Sequence, residues 1–215
     1  MIRVYKRPEA PETLESKGYQ DDAVKKALLA DQHDKCYLCE RKMTTDYQVE
    51  HVVSQHGDSA KTNLWSNLFV ACNYCNDRKK NNYDDIPLPD SMDFEDIIQQ
   101  NCDLSAKKMV FRSDATNGQI DKLVSLLDKL YNGKNQSIGR NLMEQRFWNQ
   151  FFSEYNGFLR RLHLYVSEPN DIHYQLVVDD LHIDSPILGV KYSYIKKNDY
   201  LYRIFQHAMK WNRDD

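Results

Sequence analysis

Two short cysteine pairs constrain the fold of this chain more than any other feature. They read "CYLC" at Cys36–Cys39 and "CNYC" at Cys72–Cys75, and 32 residues separate them. Each pair can present two sulfurs to one tetrahedral ion with Zn–S bonds of about 2.3 Å, and the segment between them is long enough to bring the pairs together. Four thiolates leave no open coordination position, so this pattern predicts a structural Zn²⁺ held by Cys36, Cys39, Cys72 and Cys75. An iron–sulfur cluster is the main alternative, because it also takes four cysteines.

The overall composition is typical of a soluble globular protein. Hydrophobic residues make up 41% of the chain and charged residues 28%. No apolar run approaches the ~20 residues that span a bilayer, and the first residues lack an apolar signal-peptide core. We therefore expect a cytoplasmic protein that does not enter a membrane. The net charge of −3 argues mildly against strong intrinsic affinity for nucleic acid.

The apolar spacing divides the chain into three parts. Residues 1–35 form an extended segment followed by a helix over about 21–32. Residues 36–83 read as a small ββα-like metal module, in which Tyr47 and Val49 alternate with polar residues as in a strand. Residues 84–215 are predicted to be helical. The individual helices are expected over about 117–132, 137–166, 171–181 and 196–211. The predicted fold class is therefore mostly α, with a small α+β module embedded in a helical protein.

An acidic stretch follows the metal module. Residues 84–103 contain seven acidic residues and no Lys or Arg. Such a run is most often a solvated linker, and that is our interpretation here. The alternatives are a face that docks a partner and a guard against non-specific binding of DNA.

Between the cysteine pairs lies a second group of residues with possible chemistry. Glu50 and His51 are adjacent in "YQVEHVVSQH", and Asn76 follows the second pair directly. Hydrolysis of a phosphodiester needs a base to activate water and a divalent ion on the phosphate oxygens. His51 can be the base, while Glu50 and Asn76 offer the oxygen ligands that Mg²⁺ favours. The basic residues that follow are candidates for contacts with the nucleic-acid backbone; they are Arg78, Lys79 and Lys80.

Taken in order, these residues carry a family resemblance. The pattern C-x-x-C, V-E-H, N-L-F-V-A-C-x-x-C-N-x-x-K resembles the HNH endonuclease motif in its zinc-stabilised form. The resemblance covers about fifty residues and implies a ββα-metal fold with His51 as general base. It also implies that Glu50 and Asn76 bind a catalytic Mg²⁺ or Mn²⁺, and that Asn67 holds the loop that orients His51. One departure is that the family often has Asp-His where this chain has Glu50–His51.

The N-terminal segment together with the motif is similar to the PtuB-like HNH subunits of Septu anti-phage systems, which also accompany some retrons. That similarity implies a prokaryotic protein that cleaves nucleic acid in defence against phage, with a PtuA-like ATPase as its partner. Over residues 84–215 the similarity is only of length and helical character. We expect that region to cover the nuclease module and to dock the ATPase.

A non-catalytic zinc-ribbon module, which binds nucleic acid or acts as a scaffold, remains the alternative function. In that case Glu50, His51 and Asn76 are residues of the fold alone. A nuclease should instead bring these three side chains together at one solvent-open position, separate from the cysteines. His56 is expected to be an exposed loop histidine, although it lies close enough in sequence to approach the catalytic ion or a phosphate.

Overall fold

The computed structural model describes residues 1–55, 57–134 and 139–211. Within these ranges helices predominate, and the strands form two separate two-stranded antiparallel sheets. The predicted fold class is thus confirmed. No helix in the described ranges has the length and apolar character needed to cross a membrane. The helices are α1 (Thr13–Lys17), α2 (Asp22–Asp31), α3 (Ser59–Thr62), α4 (Asn73–Lys79), α5 (Phe94–Ile97), α6 (Gly118–Asn132), α7 (Leu142–Ser167), α8 (Asp171–Asp180), α9 (Leu188–Lys196) and α10 (Asp199–Phe205), and the strands are β1 (Tyr47–His51), β2 (Leu68–Cys72), β3 (Ile98–Asp103) and β4 (Lys108–Ser113).

The metal module is a hairpin followed by a helix. Strands β1 and β2 pair antiparallel, with Glu50 opposite Phe69 and His51 opposite Leu68. Every residue of β2 is buried, because this strand lies between β1 and the helix α2 that precedes the module. Helix α4 begins directly after β2. The ββα order expected for residues 36–83 is therefore present.

The acidic stretch is not a solvated linker, and that interpretation was wrong. It contains α5 and β3, and β3 pairs with β4 in a hairpin that the sequence reading missed. Phe94, Glu95 and Gln100 are all buried. The Glu95 carboxylate accepts a hydrogen bond from the backbone N–H of Arg3 at 3.0 Å. The Glu95 side chain is thus held in the fold by a partner 92 positions away in the sequence.

The helices after the hairpin follow the predicted pattern with one omission. Helix α6 starts after Asn117, whose side chain accepts a hydrogen bond from the backbone of Gln119 at 2.9 Å. Helix α7 starts later than the predicted residue 137, at a capping box formed by Asn141 and Glu144; residues 135–138 lie outside the described ranges. Helix α9 was not predicted. Most of its residues are buried, so it lacks the one-sided apolar stripe from which a helix is predicted.

The metal module and the helical region share one hydrophobic core. The Tyr131 hydroxyl of α6 donates to the backbone oxygen of Cys39 at 3.1 Å, and the Tyr74 hydroxyl of α4 donates to that of Leu130 at 2.7 Å. The rings of Tyr74 and Phe147 stack with centroids 4.3 Å apart. The helical region therefore completes the interior of the module, to which α6 and α7 contribute side chains.

Candidate active site and metal centre

Four buried cysteines form the clearest site in the structure. Their sulfur atoms all lie within 4.8 Å of one another, and the Cys39 and Cys72 sulfurs are 3.9 Å apart. A tetrahedral ion with bonds of about 2.3 Å needs sulfur–sulfur distances of about 3.8 Å. The cysteines are at most 1% exposed. The arrangement therefore has the size and closure of a structural zinc site, as the sequence predicts.

Backbone hydrogen bonds shape both halves of this site. In the first pair, the N–H of Glu40 donates to the oxygen of Cys36 at 2.8 Å, and the N–H of Cys36 donates to the oxygen of Arg41. Glu40 has a φ of 56°, in the left-handed region that a tight turn of this kind requires. In the second pair, Cys72 caps α4, and its sulfur accepts from the N–H of Cys75 at 3.4 Å. Each pair thus directs two sulfurs inward.

The electrostatics of the cluster favour a bound cation. Burial raises the pKa of the Cys39 and Cys75 thiols, whereas hydrogen bonds from Cys36, Cys39 and Cys75 lower the pKa of Cys72. Four thiolates at this buried site therefore need a cation. Arg41 lies beside Cys39 and Cys72 and contributes one positive charge. A divalent soft cation at the centre supplies the further positive charge that four thiolates need, and sulfur ligands suit Zn²⁺. The residues present therefore fit a zinc ion.

His51 is the last residue of β1, and its ring is half-buried. The ring atom Nε2 lies 2.9 Å from the backbone oxygen of Thr62, and the Tyr19 ring meets the imidazole edge-on with centroids 4.8 Å apart. A carbonyl oxygen only accepts hydrogen bonds, so Nε2 carries the proton. In neutral His51 the lone pair is consequently on Nδ1.

The Gln55 side chain covers the edge of this imidazole. Its amide nitrogen is 3.0 Å from Nδ1 and 2.8 Å from Nε2 of His51. The Thr62 hydroxyl donates to the Gln55 amide oxygen at 3.4 Å. Gln55 therefore occupies the position from which a water molecule would approach Nδ1.

Asn67 holds the turn that follows His51. Its side-chain oxygen accepts from the Val53 N–H and its side-chain nitrogen donates to the Val53 oxygen, both at 2.8 Å. Its own backbone oxygen accepts from the Val52 N–H at 3.0 Å. The side chain is only 3% exposed, so these bonds are protected from water. The contacts are those that the predicted role of Asn67 requires, and its effect on His51 stays a prediction.

Glu50 forms a buried ion pair with Lys79. The Lys79 Nζ lies 2.9 Å from Glu50 Oε1, the Lys79 side chain is 0% exposed and that of Glu50 is 10% exposed. The same ammonium lies 3.4 Å from the backbone oxygen of His51. Burial raises the pKa of Glu50, and the positive charge of Lys79 opposes that rise. The carboxylate expected to bind a catalytic ion thus already has a cation.

Asn76 lies on the neighbouring part of the same strand–helix interface. Its side-chain nitrogen donates to Gln48 Oε1 at 2.5 Å. Gln48 and Glu50 project from one face of β1, and Asn76 and Lys79 lie one turn apart on α4. Asn76 opens onto a cavity of about 750 Å³ whose lining is rich in amides, namely Gln48, Asn73, Asn76, Asn81 and Asn82 with Asp77 and Lys80.

The three candidate catalytic residues share a region but not a face. Successive residues of a strand point to opposite sides, so Glu50 turns toward α4 and His51 toward Tyr19 and Thr62. Among the contacts of the described residues, none joins the His51 ring to Glu50 or Asn76. The positive charge of a protonated His51 nonetheless favours the charged form of Glu50. The direct convergence expected from the sequence is therefore not formed in this conformation.

The basic residues after the second cysteine pair differ in position. The Arg78 guanidinium carbon lies 3.6 Å from the centre of the Tyr74 ring, and Arg78 also reaches Glu144 at 3.8 Å. Arg78 is 8% exposed and Lys79 is fully buried, because both side chains pack inward against anionic partners. The structure therefore does not support phosphate contacts by Arg78 or Lys79. Of the three predicted contacts only Lys80 is exposed.

Sequence reasoning missed the surroundings of His51. Thr62 acts through its backbone oxygen, which leaves no signal in the side-chain pattern. Tyr19 and Gln55 meet the ring only after folding, although the spacing of Gln55 four residues after His51 is a weak indication. His56, the other loop histidine considered, lies outside the described residues.

Part of the chain matches a known protein family. Residues 36–82 match the family model described as HNH endonuclease. No curated protein and no solved structure matches the chain. The matched segment contains the four cysteines, β1, β2 and α4. Over this segment the chain is therefore similar to the HNH endonuclease family.

Proposed function

We propose that residues 36–82 form a metal-dependent nuclease that hydrolyses phosphodiester bonds of nucleic acid. The observation that carries the proposal is His51, which ends a strand inside an HNH-matching segment with its Nε2–H donated to a backbone oxygen. That hydrogen bond fixes the neutral tautomer whose Nδ1 accepts a proton. A base prepared in this way is what water attack on phosphorus needs.

In the proposed reaction His51 Nδ1 takes a proton from the attacking water. The Thr62 oxygen holds Nε2–H throughout, so the ring keeps its orientation and its positive charge is stabilised as it forms. Tyr19 packs against the ring and limits its rotation. Gln55 must turn away from Nδ1 to admit the water, and its amide is then free to hydrogen-bond that water or a phosphate oxygen.

Glu50 and Asn76 are the proposed ligands of a Mg²⁺ or Mn²⁺ ion. One carboxylate and one amide oxygen suit a hard ion that retains several waters and binds phosphate oxygens. Such an ion would polarise the phosphate and stabilise the leaving oxygen. The donor chemistry fits this role, and the two residues occupy adjacent positions along the β1–α4 interface.

The amide-lined cavity beside Asn76 is the proposed path of the substrate. Its side chains offer both hydrogen-bond donors and acceptors, while its exposed cation is Lys80. Binding there would depend on hydrogen bonds more than on counterion release. This is in keeping with a chain whose net charge is −3.

The test is replacement of His51 with alanine in the full chain loaded with zinc. Plasmid DNA, single-stranded DNA and RNA are offered with Mg²⁺ or Mn²⁺, and we expect His51→Ala to lower the cleavage rate by roughly 10²–10⁴-fold. The matched control is His163→Ala, the same change at an exposed histidine of α7, which should leave the rate unchanged. Zinc content and circular dichroism confirm that both variants are folded. Cleavage by His51→Ala at the wild-type rate would remove His51 from the chemistry.

One observation favours the alternative, a non-catalytic zinc module that binds nucleic acid or acts as a scaffold. The Lys79 ammonium neutralises Glu50, and His51 points to the other side of β1. The same experiment separates the two functions. A binding module retains its nucleic-acid affinity in His51→Ala and cleaves nothing in either form.

We further propose that the nuclease acts in anti-phage defence with an ATPase partner. The support is the resemblance of the N-terminal segment and motif to PtuB-like subunits. Exposed apolar side chains on α7 and α8, such as Leu164 and Ile172, offer a surface for such a partner. Co-expression with a PtuA-like ATPase should yield a complex, and Ile172→Glu should weaken that complex. His51→Ala should abolish protection against phage while leaving the complex intact.

A further inference from the structure

The Glu50 carboxylate is already neutralised within the protein. The Lys79 ammonium contacts Glu50 Oε1 at 2.9 Å and the His51 backbone oxygen at 3.4 Å. Neither side chain is more than 10% exposed. Among the described residues, the cysteine cluster is the only group of three or more His, Cys, Asp or Glu residues close enough to share an ion. Glu50 therefore belongs to no such group, although the Asp84 carboxylate acts on its charge and, in addition to burial, raises its pKa.

A second cation at Glu50 would meet the first one directly. The Glu50 carboxylate, the Lys79 ammonium and a divalent ion would together have a net charge of +2. Little water is present there to screen the repulsion between the two cations. Two buried cations within a few ångströms are costly unless further anions arrive. The ammonium and the divalent ion are therefore competitors for one carboxylate.

The position of Lys79 in the fold permits it to leave. It is the last residue of α4, and the next residue, Lys80, has a φ of 46°, a strained left-handed conformation for a residue other than glycine. The chain then enters a short 3₁₀ segment, Lys80–Tyr83, which borders the amide-lined cavity. A flexible four-carbon side chain at the end of a helix can move its charge away from Glu50 without unfolding the helix.

We infer that Lys79 is the resident counter-ion of Glu50 and that a divalent cation binds Glu50 and Asn76 only when the Lys79 ammonium leaves the carboxylate. The inference rests on the proposed function, since that function assigns Glu50 and Asn76 to the ion. It gives Lys79 control over metal occupancy. The site binds metal weakly by itself, and a phosphodiester that brings negative charge both favours the metal and receives the displaced ammonium.

The direct test measures Mn²⁺ binding, by electron paramagnetic resonance, to the zinc-loaded full chain without substrate. Lys79→Met removes the competitor and leaves Glu50 in need of a cation, so we expect its Mn²⁺ affinity to rise at least tenfold. Lys79→Arg keeps the competing charge and should bind no more tightly than wild type. The double variant Lys79→Met/Glu50→Gln should lose the gain. An affinity of Lys79→Met equal to or below that of wild type, or no Mn²⁺ binding by it, would overturn the inference.

A measurement on the wild-type protein keeps the test independent of how well the variants fold. An amine-reactive label with peptide mapping should leave Lys79 unmodified without Mn²⁺ and modify it several-fold more at saturating Mn²⁺. Lys191, buried at 1% exposure beside Asp180 of α8, is the internal control and should stay protected in both conditions. Continued protection of Lys79 with Mn²⁺ bound would show that it does not leave.

The two proposals fail separately. If Lys79 stays on Glu50 while His51-dependent cleavage is observed, the counter-ion role is wrong and the nuclease remains. If Mn²⁺ displaces Lys79 and the wild type cleaves no nucleic acid, the displacement stands and the nuclease is wrong.

Discussion

Replacing Lys79 with methionine removes one half of a buried ion pair and leaves the other half uncompensated. At the observed 2.9 Å the attraction amounts to about 6 kcal/mol with an effective dielectric constant of about 20. The cost of desolvating both charges offsets much of this attraction in the intact pair. The single variant keeps the buried Glu50 carboxylate and loses its partner, so we expect a loss of about 3–5 kcal/mol in the free energy of unfolding. For a chain of 215 residues this corresponds to a fall in Tm of roughly 6–20 °C.

The assay is thermal and urea unfolding of the zinc-loaded protein in a buffer without other divalent ions. Lys79→Met/Glu50→Gln removes both charges and should recover most of the loss, to within about 1–2 kcal/mol of wild type. Lys80→Met is the matched control, because Lys80 is the exposed neighbour, and it should change stability by less than about 0.5 kcal/mol. A stabilising Glu50–Lys79 ion pair is excluded if Lys79→Met is as stable as the control, or if the double variant is no more stable than Lys79→Met.

Three further predictions concern other parts of the structure. Chelation of zinc, or Cys39→Ser, should unfold the metal module. A structural zinc contributes about 10–16 kcal/mol to folding in small peptides, which is as much as the whole stability of a typical domain. Zinc release that leaves near-ultraviolet circular dichroism unchanged would contradict this prediction. Asn67→Ala should cost about 2 kcal/mol by leaving both backbone groups of Val53 without partners. Asn67→Asp keeps the acceptor but places a buried carboxylate oxygen against the Val53 carbonyl oxygen, so it should cost at least as much in the same urea titration. Burial lowers the pKa of Lys6 to about 8, so the unfolded chain binds more protons than the folded chain between pH 8 and 10.5. Wild-type stability should therefore rise over that window by up to about 3 kcal/mol relative to Lys6→Met; parallel pH profiles of the two proteins would exclude it.

Much of the fold follows from local patterns. The apolar spacing over about 117–132 predicts a helix, and α6 forms there. The hairpin of β3 and β4 was missed because "IQQNCD" lacks apolar alternation. In the folded protein the buried Gln100 of β3 donates from its side chain to the Met1 backbone oxygen at 2.7 Å, and its backbone N–H donates to the Ser193 hydroxyl at 3.0 Å. A polar residue becomes interior here only through partners about ninety or more positions away.

Residue types and their spacing are enough to predict the metal centre and the location of the candidate active site. Ligand chemistry and covalent spacing are short-range properties, so two Cys-x-x-Cys pairs specify four thiolates, and the HNH motif places His51 between them. The electrostatics around that motif depend instead on contacts that form when the chain folds. Lys79 and Arg78 look like surface cations at the end of a helix, and they are buried because Glu50 and Glu144, from other elements, offset their charge. The cost of burying a charge depends on which groups surround it in space, and the order of residues along the chain does not show which groups those are.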